Sequence, residues 1–126
     1  MGKSVLIVED DEAIRSLMVE LLSGEGYPVH SAQNGRVALN WLIDPGNELP
    51  GLIALDLYMP IMDGREFLAE VLNASARDLA RIPVVLITAS DPQGRLDLEG
   101  KTAAVLRKPI DIGTFLALVA THCGSL

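Results

Sequence analysis

Five short apolar runs, separated by amphipathic or polar stretches, set the strongest limit on how this chain can fold. The first, third and fourth runs are nearly continuous in apolar residues and do not alternate with polar ones. Such runs are typical of strands that are covered on both faces of a parallel sheet. The predicted strands are SVLIV (4–8), YPVHSA (27–32), GLIAL (51–55), PVVLIT (83–88) and AAVLR (103–107).

Between the runs, apolar residues recur at the three- and four-residue spacing of a helix that buries one face. Asp10 or Asp11 can cap the first helix, and Gly24 or Gly26 would end it. The stretch SDPQGRLDLEG after the fourth run predicts only a short or irregular helix, because Pro and Gly disfavour helices. The predicted inward positions are Ile14, Leu17, Met18, Leu21 and Leu22; Val37, Trp41 and Leu42; Phe67, Leu68, Val71 and Leu72; and, in a last helix over 111–122, Ile112, Phe115, Leu116, Val119 and Ala120.

The alternation of strands and helices predicts an α/β fold, a doubly wound parallel sheet with helices on both faces. A length of 126 residues suits one such domain, so we expect residues 1–126 to form a single domain without an output domain. In sheets of this kind, ligands bind beyond the carboxyl ends of the strands. The functional site is therefore expected at that edge.

The composition and the N-terminal sequence argue against several classes of function and location. A net charge of −7 disfavours direct binding to nucleic acid or to anionic membranes. No apolar run reaches the roughly 18 residues that a membrane span needs, and the N-terminus lacks the layout of a secretory signal. Cys123 is the single cysteine, which excludes an internal disulfide and fits a reducing compartment. We expect a cytoplasmic protein.

Polar side chains stand where the predicted strands end. Glu9 and Asp10 follow the first run, and Asp56 follows the third. Thr88 ends the fourth run, and Lys108 follows the fifth. Because the carboxyl ends of parallel strands meet at one edge, we expect these side chains to share one cleft. Clustered carboxylates suit Mg²⁺, and together with an ammonium and a hydroxyl they suit phosphoryl transfer to a carboxylate nucleophile.

Four motifs at these strand ends resemble a known family. VLIVEDDEAIR, LDLYMPIMDG, ITAS and LRKPI, in this order and spacing, are similar to the receiver domain of two-component response regulators. The resemblance extends over essentially the whole chain. It implies a CheY-like, flavodoxin-like sheet of five strands in the order 2-1-3-4-5. It also implies a signalling switch that phosphorylates and slowly dephosphorylates itself, and not an enzyme with a separate substrate.

The resemblance implies how the phosphoryl group would be handled. Asp56 would accept it from a phosphohistidine and form an acyl phosphate. Thr88 would donate a hydrogen bond to the phosphoryl group, and Lys108 would pair with one of its oxygens. The Lys108–Pro109 peptide bond would be cis, as in the family.

The resemblance also implies a Mg²⁺ site. Asp10 would bind the ion directly, and Glu9 would bind it directly or through water. Asp56 and the backbone carbonyl of Tyr58 would complete the protein's share of the ligands.

Other positions bear on the phosphate lifetime and on the response. Pro60 and Gly64 would shape the loop after Asp56. Tyr58 and Ser90 stand where the family varies the rate of phosphate loss, and Tyr58 would either obstruct the attacking water or simply pack. The family often has an aromatic switch residue three positions before the lysine, where this chain has Val105. The response to phosphorylation is therefore expected to differ from the usual one.

The partners implied by the resemblance are proteins. A sensor histidine kinase or a histidine phosphotransfer protein would donate the phosphoryl group, and a second protein would bind the altered surface. Direct contact with nucleic acid or membrane is not expected. The chain would be a monomer or a phosphorylation-dependent dimer.

Two other functions fit the residues less well. A Mg²⁺-dependent phosphatase with an Asp nucleophile commonly needs a second Asp two positions later as general acid, and Tyr58 stands there. A flavin or nucleotide binder of the same topology needs a loop rich in Gly, Ser or Thr after the first strand. The chain has EDDEA there, which repels phosphate unless a metal is present.

Overall fold

The computed structural model describes residues 3–73, 78–89 and 102–124. The predicted irregular helix after the fourth strand and Ser90 lie outside these residues. None of the helices in the described ranges has the length and apolar character that a bilayer crossing requires. The elements are β1 (Val5–Val8), α1 (Glu12–Gly24), β2 (Val29–Ala32), α2 (Gly35–Ile43), β3 (Leu52–Asp56), α3 (Gly64–Asn73), a 3₁₀ turn (Leu79–Arg81), β4 (Val84–Thr88), β5 (Ala104–Arg107) and α4 (Ile112–Cys123).

The five strands form one sheet in the order β2-β1-β3-β4-β5, and every neighbouring pair is parallel. The predicted doubly wound fold and strand order are therefore confirmed. The register pairs Val8 with Leu55 and Thr88 with Arg107. As a result, the residues at or just beyond the ends of β1, β3, β4 and β5 come level with one another at the carboxyl edge.

The sheet separates two layers of buried side chains. In β3, Ile53 and Leu55 pack in the layer that contains residues of α2 and α3, whereas Leu52 and Ala54 pack in the layer that contains residues of α1 and α4. Every residue of β1, β3 and β4 is buried, as their continuous apolar sequences predict. The edge strands β2 and β5 are mostly half-buried. The site residues at the ends of the central strands are therefore carried by strands that are buried on both faces.

The start of α1 leaves one acid in the preceding loop. Asp11 is the N-cap, because its carboxylate accepts a 2.9 Å hydrogen bond from the Ile14 N–H. Asp10 is therefore not used as a cap and remains in the β1–α1 loop. Glu12 occupies the first turn, where the helix dipole favours an acid.

The predicted inward faces are wrong at some positions. Val37 is 40% exposed, because the face of α2 that packs on the sheet includes Ala38 and Leu42. Consecutive helical residues point about 100° apart, so Val37 is turned away from that face. Leu17 and Ile112 are also exposed, and both line an apolar groove between α1 and α4.

Candidate functional site

The carboxyl edge of the sheet brings the three predicted carboxylates together. Glu9, Asp10 and Asp56 each offer a carboxylate oxygen, and these oxygens lie within 4.8 Å of one another. Glu9 and Asp56 are buried, whereas Asp10 is exposed. Oxygen ligands with an opening to water are the chemistry that Mg²⁺ prefers in proteins. These three residues could therefore hold a divalent cation.

Lys108 supplies the positive charge that faces this cluster. Its Nζ lies 2.9 Å from Glu9 Oε1 and 3.5 Å from Asp56 Oδ1. Burial opposes the charged ammonium, but the two carboxylates outweigh it and raise the pKa of Lys108. The backbone N–H of Lys108 donates to the carbonyl of Thr88, and the predicted cis bond to Pro109 is present. The lysine is thus held at the site by backbone as well as side chain.

The pKa of Asp56 is raised to about 7 in the metal-free protein, and burial is the largest cause. Glu9 adds to this rise through a hydrogen bond and through its negative charge, whereas Lys108 opposes it. A smaller contribution comes from a hydrogen bond with Asp10. The site therefore holds more negative charge than Lys108 alone neutralises, and a bound cation would favour the ionised form of Asp56.

Thr88 presents a hydroxyl group without a partner. It is the last residue of β4 and is 1% exposed. Across the described part of the chain, its Oγ1 is the one buried side-chain oxygen or nitrogen for which no hydrogen bond exists. Leaving such a group unsatisfied costs about 1–3 kcal/mol. A ligand oxygen bound above Asp56 would remove that cost.

The loop that follows β3 is closed by its own backbone. The N–H of Gly64 donates to the carbonyl of Leu57 at 2.8 Å, and the N–H of Met62 donates to the carbonyl of Pro60 at 2.7 Å. Tyr58 lies in this loop with its residue surface 55% exposed, so it is not a core residue. The backbone around the predicted carbonyl ligand is therefore constrained by one hydrogen bond that joins the ends of the loop and by another within it.

Arg15 is a residue of the site that the motif analysis does not single out. Its guanidinium donates a 2.8 Å hydrogen bond to the carbonyl of Glu9 and a 3.4 Å one to the carbonyl of Asp10. Arg15 lies one turn after the cap of α1, from where a long side chain can reach back over the β1–α1 loop. The available sequence signal is an arginine in the first turns of a helix that follows an acidic strand end.

Replacing Asp10 with asparagine is expected to raise the unfolding free energy of the metal-free protein by about 1 kcal/mol at pH 8. The change removes one of three charges that lie within 4.8 Å of one another. Added Mg²⁺ should reverse the order of stability, because the wild-type chain would bind the ion more tightly. Thermal denaturation with chelator and with MgCl₂ measures both effects.

Glu12→Gln is the matched control, since it removes the same charge from an exposed position in the first turn of α1. It should leave stability unchanged or slightly lowered, because an acid there is favoured by the helix dipole. If the metal-free Asp10→Asn protein is no more stable than the wild type, repulsion among the three carboxylates is contradicted.

Comparison with known proteins finds similarity to response regulators over nearly the whole chain. A family model described as the response regulator receiver domain matches residues 5–120. The polar-differentiation response regulator DivK of Brucella anthropi is 30% identical over 126 residues, which cover 98% of each chain. The response regulator PleD of Caulobacter vibrioides is 38% identical over 113 residues, which cover 88% of this chain and 24% of PleD. The chain thus spans nearly all of DivK but about a quarter of PleD.

A solved structure shares the fold. The receiver domain of the sensor histidine kinase PA1611 of Pseudomonas aeruginosa superposes with a TM-score of 0.84 at 23% identity, covering 99% of this chain and 100% of that one. That structure has a magnesium ion coordinated in its active-site cleft.

Proposed function

Because the chain belongs to the receiver domain family of two-component response regulators, we propose that it is a phosphorylation-dependent switch with Asp56 as phosphoacceptor. A carboxylate oxygen of Asp56 forms a bond to phosphorus as the P–N bond of a phosphohistidine breaks. The electron pair of that bond returns to the imidazole, and the product on this chain is an acyl phosphate. The donor is a sensor histidine kinase or a histidine phosphotransfer protein.

Glu9, Asp10 and Asp56, with the backbone carbonyl of Tyr58, are the residues that would hold Mg²⁺. The proximity of the three carboxylate oxygens supports this ligand set, as does the ion in the receiver domain of PA1611. When bound, the ion would neutralise charge on the phosphoryl oxygens and on Asp56. Glu9 is already engaged by Lys108 at 2.9 Å, which suits a contact to the ion through water.

The observation that carries the proposal is the surroundings of Asp56. Its buried carboxylate ends a central strand, has the Lys108 ammonium 3.5 Å away, and lies at the edge where Thr88 presents an unpartnered hydroxyl. Lys108 favours the ionised, nucleophilic form of Asp56 and then pairs with a phosphoryl oxygen. The hydroxyl of Thr88 donates to another phosphoryl oxygen and so gains the hydrogen bond that it lacks.

The switch acts through its own surface and turns over no separate substrate. Tyr58 stands where an Asp-dependent phosphatase needs its general acid, which supports this reading over hydrolysis of external phosphate esters. Val105 is partly buried against the core where the family often has an aromatic switch residue, so the response to phosphorylation would not involve an aromatic side chain at that position. Residues 1–126 act as one receiver domain in the cytoplasm, as a monomer or a phosphorylation-dependent dimer, and bind a downstream protein and no nucleic acid or membrane.

Asp56→Asn is expected to abolish phosphorylation, because an amide nitrogen or oxygen is a poor nucleophile beside an ionised carboxylate. The protein is incubated with MgCl₂ and acetyl phosphate, and the intact mass is measured. The wild type should gain one phosphoryl group and the variant none. Asp63→Asn is the control in the same loop, since its side chain accepts from the Glu66 N–H and asparagine keeps that bond.

A wild-type chain that gains no phosphoryl group, or an Asp56→Asn chain that still gains one, would overturn the assignment. Repeated turnover of an aryl phosphate at about 1 s⁻¹ or faster would instead identify a phosphatase.

A further inference from the structure

The β1–α1 loop holds its two metal-site carboxylates in different ways. The Glu9 carboxylate is fixed from two sides, by Lys108 at 2.9 Å on Oε1 and by the Asp11 N–H at 3.2 Å on Oε2. The side chain of Asp10 is exposed at the mouth of the site. Apart from its hydrogen bond with Asp56, its position therefore depends on the peptide units that carry it.

Arg15 holds those peptide units. Its guanidinium donates to the carbonyls of Glu9 and Asp10, at 2.8 Å and 3.4 Å. The arginine is itself anchored, because its backbone N–H donates to the Asp11 carbonyl at 2.9 Å and α1 packs into the core through Met18. Arg15 thus connects a packed helix to the peptide that orients the exposed metal ligand.

We propose that Arg15 is a positioning residue that gives the metal site its preference for Mg²⁺ over Ca²⁺. The proposal rests on the Mg²⁺ site described above. Mg²⁺ demands near-ideal octahedral geometry at about 2.0–2.1 Å, whereas Ca²⁺ accepts variable coordination at about 2.3–2.6 Å. A loop that loses its tie to α1 would let Asp10 move, and this movement penalises Mg²⁺ far more than Ca²⁺.

Positioning and simple charge predict opposite results at this residue. A guanidinium close to a cation site repels the cation, so removing its charge alone would make both ions bind more tightly. Loss of a hydrogen-bonded support around metal ligands typically weakens binding about 10–100-fold. The direction of the change in affinity therefore separates the two effects.

The test is calorimetric titration of the chelator-treated 126-residue chain with MgCl₂ and with CaCl₂. Arg15→Gln should weaken Mg²⁺ binding about tenfold, with a much smaller change for Ca²⁺. Arg15→Lys keeps the charge and can reach one carbonyl, so its Mg²⁺ affinity should lie between those of the wild type and Arg15→Gln. Arg36→Gln removes the same charge from an exposed position of α2 and should leave the Mg²⁺ to Ca²⁺ ratio unchanged.

Unchanged or tighter Mg²⁺ binding by Arg15→Gln would overturn the proposal, as would an equal loss for both ions. Should Arg15→Gln fail to fold in a thermal melt, the ratio for Arg15→Lys decides by the same criteria. A wild-type chain that binds no Mg²⁺ would instead overturn the metal site of the proposed function, and the inference with it.

Discussion

Lys108→Met is expected to lower the unfolding free energy of the metal-free protein by about 3 kcal/mol at pH 8. The ammonium lies 2.9 Å from Glu9 Oε1 and 3.5 Å from Asp56 Oδ1, and both acids are buried. Methionine keeps the apolar stem but leaves two neighbouring carboxylates without a cation. Urea denaturation of the wild type and the variant in metal-free buffer measures the difference.

The loss should shrink as the pH falls towards 5. Lys108 opposes the rise in the pKa of Asp56, so its removal moves that pKa still further above the value in the unfolded chain. Above the unfolded pKa of about 4, the folded variant then binds a proton that the unfolded chain has released, so its stability falls as the pH rises from about 4 past the value of about 7 that Asp56 has in the wild type. At pH 5 the proton on Asp56 relieves the repulsion that methionine creates.

Lys3→Met is the control, because it removes the same charge at an exposed position. It should change stability by about 0.5 kcal/mol or less. A Lys108→Met loss that is equal at pH 5 and pH 8 would contradict the ion pair as its cause. Added Mg²⁺ should restore part of the loss, because the ion replaces the missing positive charge.

The strands of this fold could be predicted from the sequence, but their order could not be read from periodicity. β1, β3 and β4 are apolar up to the polar residues that end β3 and β4, because both faces of these strands are covered. The order 2-1-3-4-5 depended on the resemblance of the motifs to receiver domains. The sequence was a poorer guide to which apolar side chains of a helix face inward. Val37 and Ile112 are exposed because of the way their helices pack.

The meeting of Glu9, Asp10 and Asp56 follows from parallel topology, because the carboxyl ends of the strands share one edge. The unpartnered hydroxyl of Thr88 and the reach of Arg15 to two carbonyls do not follow from it. Both depend on side-chain directions and on the acceptors nearby, which spacing along the chain does not determine.

The same limit applies to backbone geometry and to contacts outside the motifs. Ile61 has a φ of 70°, a region that β-branched residues rarely adopt. His30 stacks on Trp41 with ring centroids 4.4 Å apart, which joins the edge strand β2 to α2. No sequence motif marks either feature: the turn at Ile61 is closed by the 2.7 Å hydrogen bond from the Met62 N–H to the Pro60 carbonyl, and the stack depends on how α2 packs beside β2.

Gly64→Ala is expected to destabilise the protein by about 3 kcal/mol, at the upper end of the usual range for overpacking. A Cβ at this position would lie 2.6 Å from the carbonyl oxygen of Asp56 and 2.8 Å from the Cα of Leu57. Both neighbours are backbone atoms, so the clash is relieved only by separating α3 from the end of β3. Phosphorylation by acetyl phosphate should also slow, because the backbone of Asp56, the proposed phosphoacceptor, must move.

Gly24→Ala tests whether this effect belongs to the site or to glycine replacement in general. A Cβ at Gly24, the last residue of α1, would meet no atom within 4 Å. Alanine is the better helix former, so this variant should be unchanged or more stable by up to about 1 kcal/mol. Opposite signs for the two variants in urea denaturation would support a steric requirement at Gly64. A Gly64→Ala chain as stable as the wild type would show that the β3–α3 junction has room to adjust, and the close fit behind Asp56 would then not constrain the site.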